Sequence, residues 1–102
     1  MQRKIMKTFI EEIGDAAMLE MLAEESTELA HAALKLARVH RGENPTPKTF
    51  MQCIDALTEE IADVQLVIDQ LNNMVDQNRI KAIYDQKMIR WTIRMNKAKE
   101  GV

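Results

Sequence analysis

Little in this sequence suits a β-sheet. Aromatic residues are 4% of its 102 positions, one Trp, one Tyr and two Phe, while Met, Leu, Ile and Ala supply most of the apolar content. That balance disfavours a β-sandwich and favours packed helices. Only three Gly and two Pro interrupt the chain, so helical runs can be long. Cys53 is the single cysteine, which excludes an internal disulfide and suits a reducing cytoplasm. No apolar run nears the ~20 residues of a membrane-spanning helix. The first residues, MQRKIMKTFIEEIG, lack the apolar core and small-residue cleavage site of a secretory signal. A cytoplasmic protein with no membrane partner is expected.

Residues 1–102 are enough for one domain and too few for two, so a single helical domain is expected. A core of that size is modest, which makes self-association a natural route to stability. The fold class read from the pattern is all-α: an antiparallel helical hairpin plus a third helix, forming a four-helix-bundle-type core on dimerisation. Gly14-Asp15 breaks or kinks an N-terminal helix, with Asp15 able to cap the next. The first long helix is expected from about Ala16 to His40, ending at Arg41-Gly42, where Gly fits a left-handed stop. Residues 42–47, GENPTP, form the loop, with Thr46 as N-cap and Pro47 as first helical residue. The second long helix then runs to about Val75, residues 76–78 turn, and a third helix spans roughly Arg79 to Lys97. Apolar stripes are formed by Met18, Leu22, Leu29 and Leu36 on the first, and by Leu57, Ile61, Val64, Ile68, Leu71 and Val75 on the second. A short loop between them predicts that the stripes face each other.

Net charge is −2, but its distribution is uneven. Thr8 to Leu34 and Thr49 to Asn78 carry acids and no Lys or Arg, whereas Arg79 to Lys99 carries basic residues against Asp85 alone. Such a division suits helix–helix attraction, and it equally suits a site holding cations and a polyphosphate. With basic residues concentrated in one helix and acids elsewhere, nucleic acid is not an expected partner.

The acids are also placed in register. LAEESTEL (22–29) aligns with LTEEIADV (57–64) position for position. Residues three apart share a helix face, so Glu25 neighbours Glu28, and Glu60 neighbours Asp63. At ~100° per residue, Glu25 lies ~60° from Leu22, inside the apolar stripe, and Glu60 bears the same relation to Leu57. Glu24 and Glu59 point further round. A carboxylate in a stripe meant for burial is costly unless compensated. Two like charges ~4 Å apart repel by ~4 kcal/mol at an effective dielectric of ~20. The pKa values must rise, or a multivalent cation must neutralise the charge. Oxygen-only ligands favour Mg²⁺ or Mn²⁺ over zinc.

On these residues the chain resembles the MazG-like, all-α nucleotide pyrophosphohydrolases. Their EExxE and ExxD signatures correspond to Glu24 through Glu28 and Glu60 through Asp63, and LAEESTELAHAALKLARVHRGENPTP and LTEEIADVQLVIDQL are similar to the surrounding family sequence. The resemblance implies that Glu25, Glu28, Glu60 and Asp63 ligate Mg²⁺, or Mn²⁺ in its place. It also implies cleavage of a nucleoside triphosphate between α- and β-phosphates to give a nucleoside monophosphate and pyrophosphate, a role in nucleotide-pool sanitation, and a homodimer or tetramer.

Glu24, beside the ligand set, is the candidate for orienting or deprotonating the attacking water. Lys87, Arg90 and Arg94, on one side of the third helix, are candidates for phosphate binding; Lys97 reads instead as a cation suited to a helix C-terminus. Beside them, Ile80, Tyr84, Met88, Trp91 and Met95 are expected to pack on the hairpin or a partner. Lys35, two turns beyond Glu28, can also reach a phosphate. Glu28 and His31 form an ExxH of the type used by di-iron bundles, but His31 falls away from the stripe and is expected at the surface. Alternative readings are a non-catalytic helical interaction module, or a phosphoribosyl-ATP pyrophosphohydrolase of the same superfamily.

Overall fold

The computed structural model describes residues 9–43 and 47–101, and these contain four helices and no strand. Helix α1 is Phe9–Ile13, α2 is Asp15–Arg41, α3 is Phe50–Gln70 and α4 is Gln77–Glu100. Among the described residues no helix is long and apolar enough to cross a membrane. The described chain falls into two compact units, the first ending at Leu71 and the second beginning at Asn72.

In the first unit, α1 and α2 are separated at Gly14. Its φ of 88° lies where a Cβ is strained. Gly14, and not Asp15, is the N-cap of α2, and it offers no side-chain oxygen to the first turn. At the other end Gly42 adopts the left-handed conformation (φ 74°) and closes the helix, as its position predicts. The N–H of Glu43 donates to the Arg38 carbonyl at 2.9 Å, which satisfies an otherwise orphaned acceptor.

Helix α3 starts later than the Thr46-Pro47 pair suggests. Thr46 lies outside the described residues, and Pro47 precedes the helix as a bend. The N-cap is Thr49. Its hydroxyl accepts from the Gln52 N–H at 3.1 Å, while the Gln52 side chain accepts from the Thr49 N–H at 2.8 Å. This capping box satisfies two backbone donors reciprocally, which a proline at the first position does not do. The helix ends at Gln70, five residues before Val75; residues 71–75 form turns and a bend.

Helices α2 and α3 are antiparallel. Met18, near the start of α2, packs with Val67 and Leu71 at the end of α3, and Ile10 and Leu22 lie against them. At the opposite end the rings of His40 and Phe50 approach to 5.9 Å. Helix α1 is fastened to the end of α3, where the Phe9 N–H donates to the Gln70 side chain at 3.1 Å.

The packed face of α3 differs from its most apolar stripe. Ile61, Ile68 and Val75 are exposed, the first two at 39% and 42%, while Cys53 is buried at 2% and Val67 at 3%. Cys53, Glu60 and Val67 are spaced by seven residues and therefore share one face. The face turned to α2 is thus rotated towards the acids. Met18, Glu25 and Ala32 have the same spacing on α2. Antiparallel pairing yields three levels about 10 Å apart: Met18 with Val67, Glu25 with Glu60, and Ala32 with Cys53.

In the second unit, Asp76 caps α4 by accepting from the N–H groups of Asn78 and Arg79 at 2.9 and 3.2 Å. The helix carries an exposed Lys81–Asp85 pair at 3.1 Å, worth a few tenths of a kcal/mol at most. Its apolar residues Ile80, Tyr84, Met88, Trp91 and Met95 are exposed in the single chain.

Candidate metal centre

The middle level of the hairpin is the candidate site. Glu25 on α2 and Glu60 and Asp63 on α3 each offer a carboxylate oxygen, and these oxygens all lie within 4.8 Å of one another. Each of the three residues is partly buried. Such a distance between negative oxygens on two helices is hard to sustain without a counter-charge.

Two atoms sharpen the point. One Oε2 from Glu25 and one from Glu60 are buried with no hydrogen-bond partner. A buried carboxylate oxygen that accepts nothing has lost its water and gained no replacement. Both carboxyls are held above the ordinary value of 4.5. The principal cause is desolvation, followed in each case by the negative charges of Glu28 and then Asp63. Glu24 adds to the repulsion at Glu25, and Glu25 and Glu59 add to it at Glu60.

Three of the four expected ligands therefore converge as one group, and the fourth is their close electrostatic neighbour. Glu28 is exposed and stands outside the three-residue group, but it lines a cavity together with Glu60. Its carboxylate is one turn from Glu25 on α2. Glu24 is exposed beside Glu25. His31 does not join the carboxylate group; it is exposed, as expected, yet it lines the same cavity as Glu28.

That cavity has a volume of about 210 Å³ and lies between α2 and α3. Lys35 borders it, and so do Lys48 and Cys53, which sequence reasoning did not assign to a site. The capping box at Thr49 was the available signal: it places Lys48 immediately before α3, beside the level of Cys53.

Lys87, Arg90 and Arg94 lie on α4 in the second unit and are exposed. Helix geometry puts them within an arc of ~60°. Arg94 borders a shallow groove on this helix with Trp91, Met95 and Ala98.

Oxygen donors alone, from three partly buried carboxylates, fit a hard divalent cation. The orphaned oxygens are where such an ion would relieve the desolvation and repulsion together. Comparison with known proteins finds no matching family model, no matching curated protein and no matching solved structure.

Proposed function

We propose that this chain is a Mg²⁺-dependent nucleoside triphosphate pyrophosphohydrolase of the MazG-like kind, which releases a nucleoside monophosphate and pyrophosphate. The observation that carries the reading is the pair of buried, unpartnered oxygens of Glu25 and Glu60, set in the middle of otherwise apolar heptads. Packing alone gives no reason for carboxylates at that level. A cation does.

In this reading Glu25, Glu60 and Asp63 hold the ion, and Glu28 completes the set from the next turn of α2. Mn²⁺ can take the place of Mg²⁺. When bound, the ion supplies neutralising charge at the phosphoryl oxygens. Glu24 orients the attacking water and accepts its proton. Lys35, Lys87, Arg90 and Arg94 offer cations to the phosphate oxygens.

Self-association belongs to the same proposal. Phe50, Ile61 and Ile68 are exposed, and they fall within ~20° of one another around α3. A second copy covering this strip builds a four-helix core, and pairing of such dimers gives a tetramer. The lone thiol of Cys53 accords with a cytoplasmic setting.

The test is pyrophosphate release from a panel of NTPs, dNTPs and phosphoribosyl-ATP with Mg²⁺, comparing wild type with Glu25→Gln and Asp63→Asn. The expected result is Mg²⁺-dependent release from nucleoside triphosphates that either substitution suppresses. Preference for phosphoribosyl-ATP reassigns the substrate, and absence of release from every compound leaves an interaction module. Release that both variants retain overturns the site.

A further inference from the structure

Helix α4 buries none of its residues in the single chain, whereas α2 buries Met18 and α3 buries Cys53 and Val67. The apolar side chains of α4 lie on two opposite sides. Ile80, Tyr84, Trp91 and Met95 fall within ~60° of one another, and Ile89 and Ile93 each lie ~160° from Trp91. These two isoleucines are 61% and 51% exposed. Each side carries a shallow groove, one bordered by Trp91 and Met95 and the other by Met88, Ile89, Thr92 and Ile93. A helix that meets a single neighbour sets polar residues opposite its apolar stripe, and one that is apolar on both sides is covered on both. Any one surface reaches only one side of a helix, so covering α4 takes two.

Charge identifies the cover for the side of Ile89 and Ile93. Along its edge run Arg79, Arg90 and Lys97, within ~20° of one another. Asp85 is the one acid from Arg79 to Lys99, and it is paired with Lys81 at 3.1 Å. The fitting surface is therefore apolar at its centre and acidic around it. Helix α3 has such a side. Met51 and Leu66, 62% and 50% exposed, share an arc of ~80° with the exposed acids Asp55, Glu59 and Asp69, and α3 contains no Lys or Arg. Leu66 lies ~140° from Ile61 around this helix, so the acidic side is separate from the strip of Phe50, Ile61 and Ile68.

We propose that the Ile89 and Ile93 side of α4 docks on the Met51 and Leu66 side of α3 in a second copy of this chain. Ile89, Ile93 and Leu66 form the apolar centre of the contact. The cations of α4 and the acids of α3 surround it, steering the encounter and fixing its register. Neither metal nor substrate enters this contact, so it stands apart from the catalytic reading.

The experiment is zero-length carbodiimide cross-linking of the full chain, prepared with light and heavy nitrogen isotopes, mixed and refolded together, with linked peptides read by mass spectrometry. The expected result is peptides that join Lys97 or Lys99 to Asp55, Glu59 or Asp69 and carry one light and one heavy half. Sedimentation equilibrium then compares wild type with the double variant Ile89→Ser, Ile93→Ser and with Leu66→Ser. Each variant is expected to weaken association roughly tenfold while circular dichroism reports unchanged helix, because these side chains are exposed in the single chain. Links in which both halves always carry the same isotope place α4 on its own chain and overturn the proposal. Association that both variants leave unchanged overturns it as well, as does wild type that stays monomeric at every concentration. Should a variant fail to fold, the mixed-isotope links of wild type decide the matter alone.

Discussion

Two neighbouring levels of the hairpin use the same helices, spacing and register, and they have opposite chemistry. At one level Met18 is 0% exposed and packs with Val67 and Leu71. About 10 Å along, the same faces present Glu25 and Glu60, each with a buried oxygen that has no partner. The first level gains from excluding water. The second loses by it. Since both are reached by the same packing, the acid level is not a consequence of how the helices pair. It is a local sacrifice of stability, and such sacrifices mark sites where a ligand restores the loss.

Substitutions at the two levels should separate function from folding. The largest effect is expected for the double variant Glu25→Gln and Glu60→Gln. Mg²⁺ affinity and pyrophosphate release should each fall by about 100-fold or more, while circular dichroism still reports a helical fold. Met18→Ala should do the reverse. It removes buried methylenes and leaves a cavity, at a cost of ~2–5 kcal/mol, read as a lower urea midpoint, while the folded fraction keeps its Mg²⁺ affinity. In a small unit of marginal stability that cost is a large share of the total.

A subtler difference concerns pH. The folded values of Glu25 and Glu60 are raised above 4.5, so between the unfolded and folded values the native state binds more protons than the unfolded state. The contribution of these two groups to stability is therefore fullest below about 4.5 and is lost as pH rises through their folded values. Metal-free protein should show this decline in urea midpoints measured across that window, and saturating Mg²⁺ should flatten it. The Met18 level contributes no such slope.

Much of this was legible in the sequence. The repeated LAEESTEL and LTEEIADV segments place acids inside apolar stripes, and the structure brings Glu25, Glu60 and Asp63 together as that placement requires. The stop at Gly42 was equally readable, because a left-handed residue after a periodic run ends a helix. The rotation of α3 was not. Ile61 and Ile68 are more hydrophobic than Cys53, but hydrophobicity cannot say which part of a broad apolar arc meets the neighbouring helix. Burial of Cys53 and Val67 settles it. The start of α3 was misplaced because Thr46-Pro47 is a familiar opening, whereas Thr49 and Gln52 satisfy more backbone donors. That Lys48 borders the cavity depends on how α2 and α3 come together across the loop that joins them, and helical periodicity is silent on that.

The most direct test of the central claim is thermal unfolding of wild type and the Glu25→Gln, Glu60→Gln variant at neutral pH, each with and without Mg²⁺. The order of stability should invert: the variant melts higher when metal is absent, and wild type melts higher when Mg²⁺ is present. Wild type melting higher in both conditions, or a melting temperature indifferent to Mg²⁺, would contradict the claim that the acid level is built for a cation.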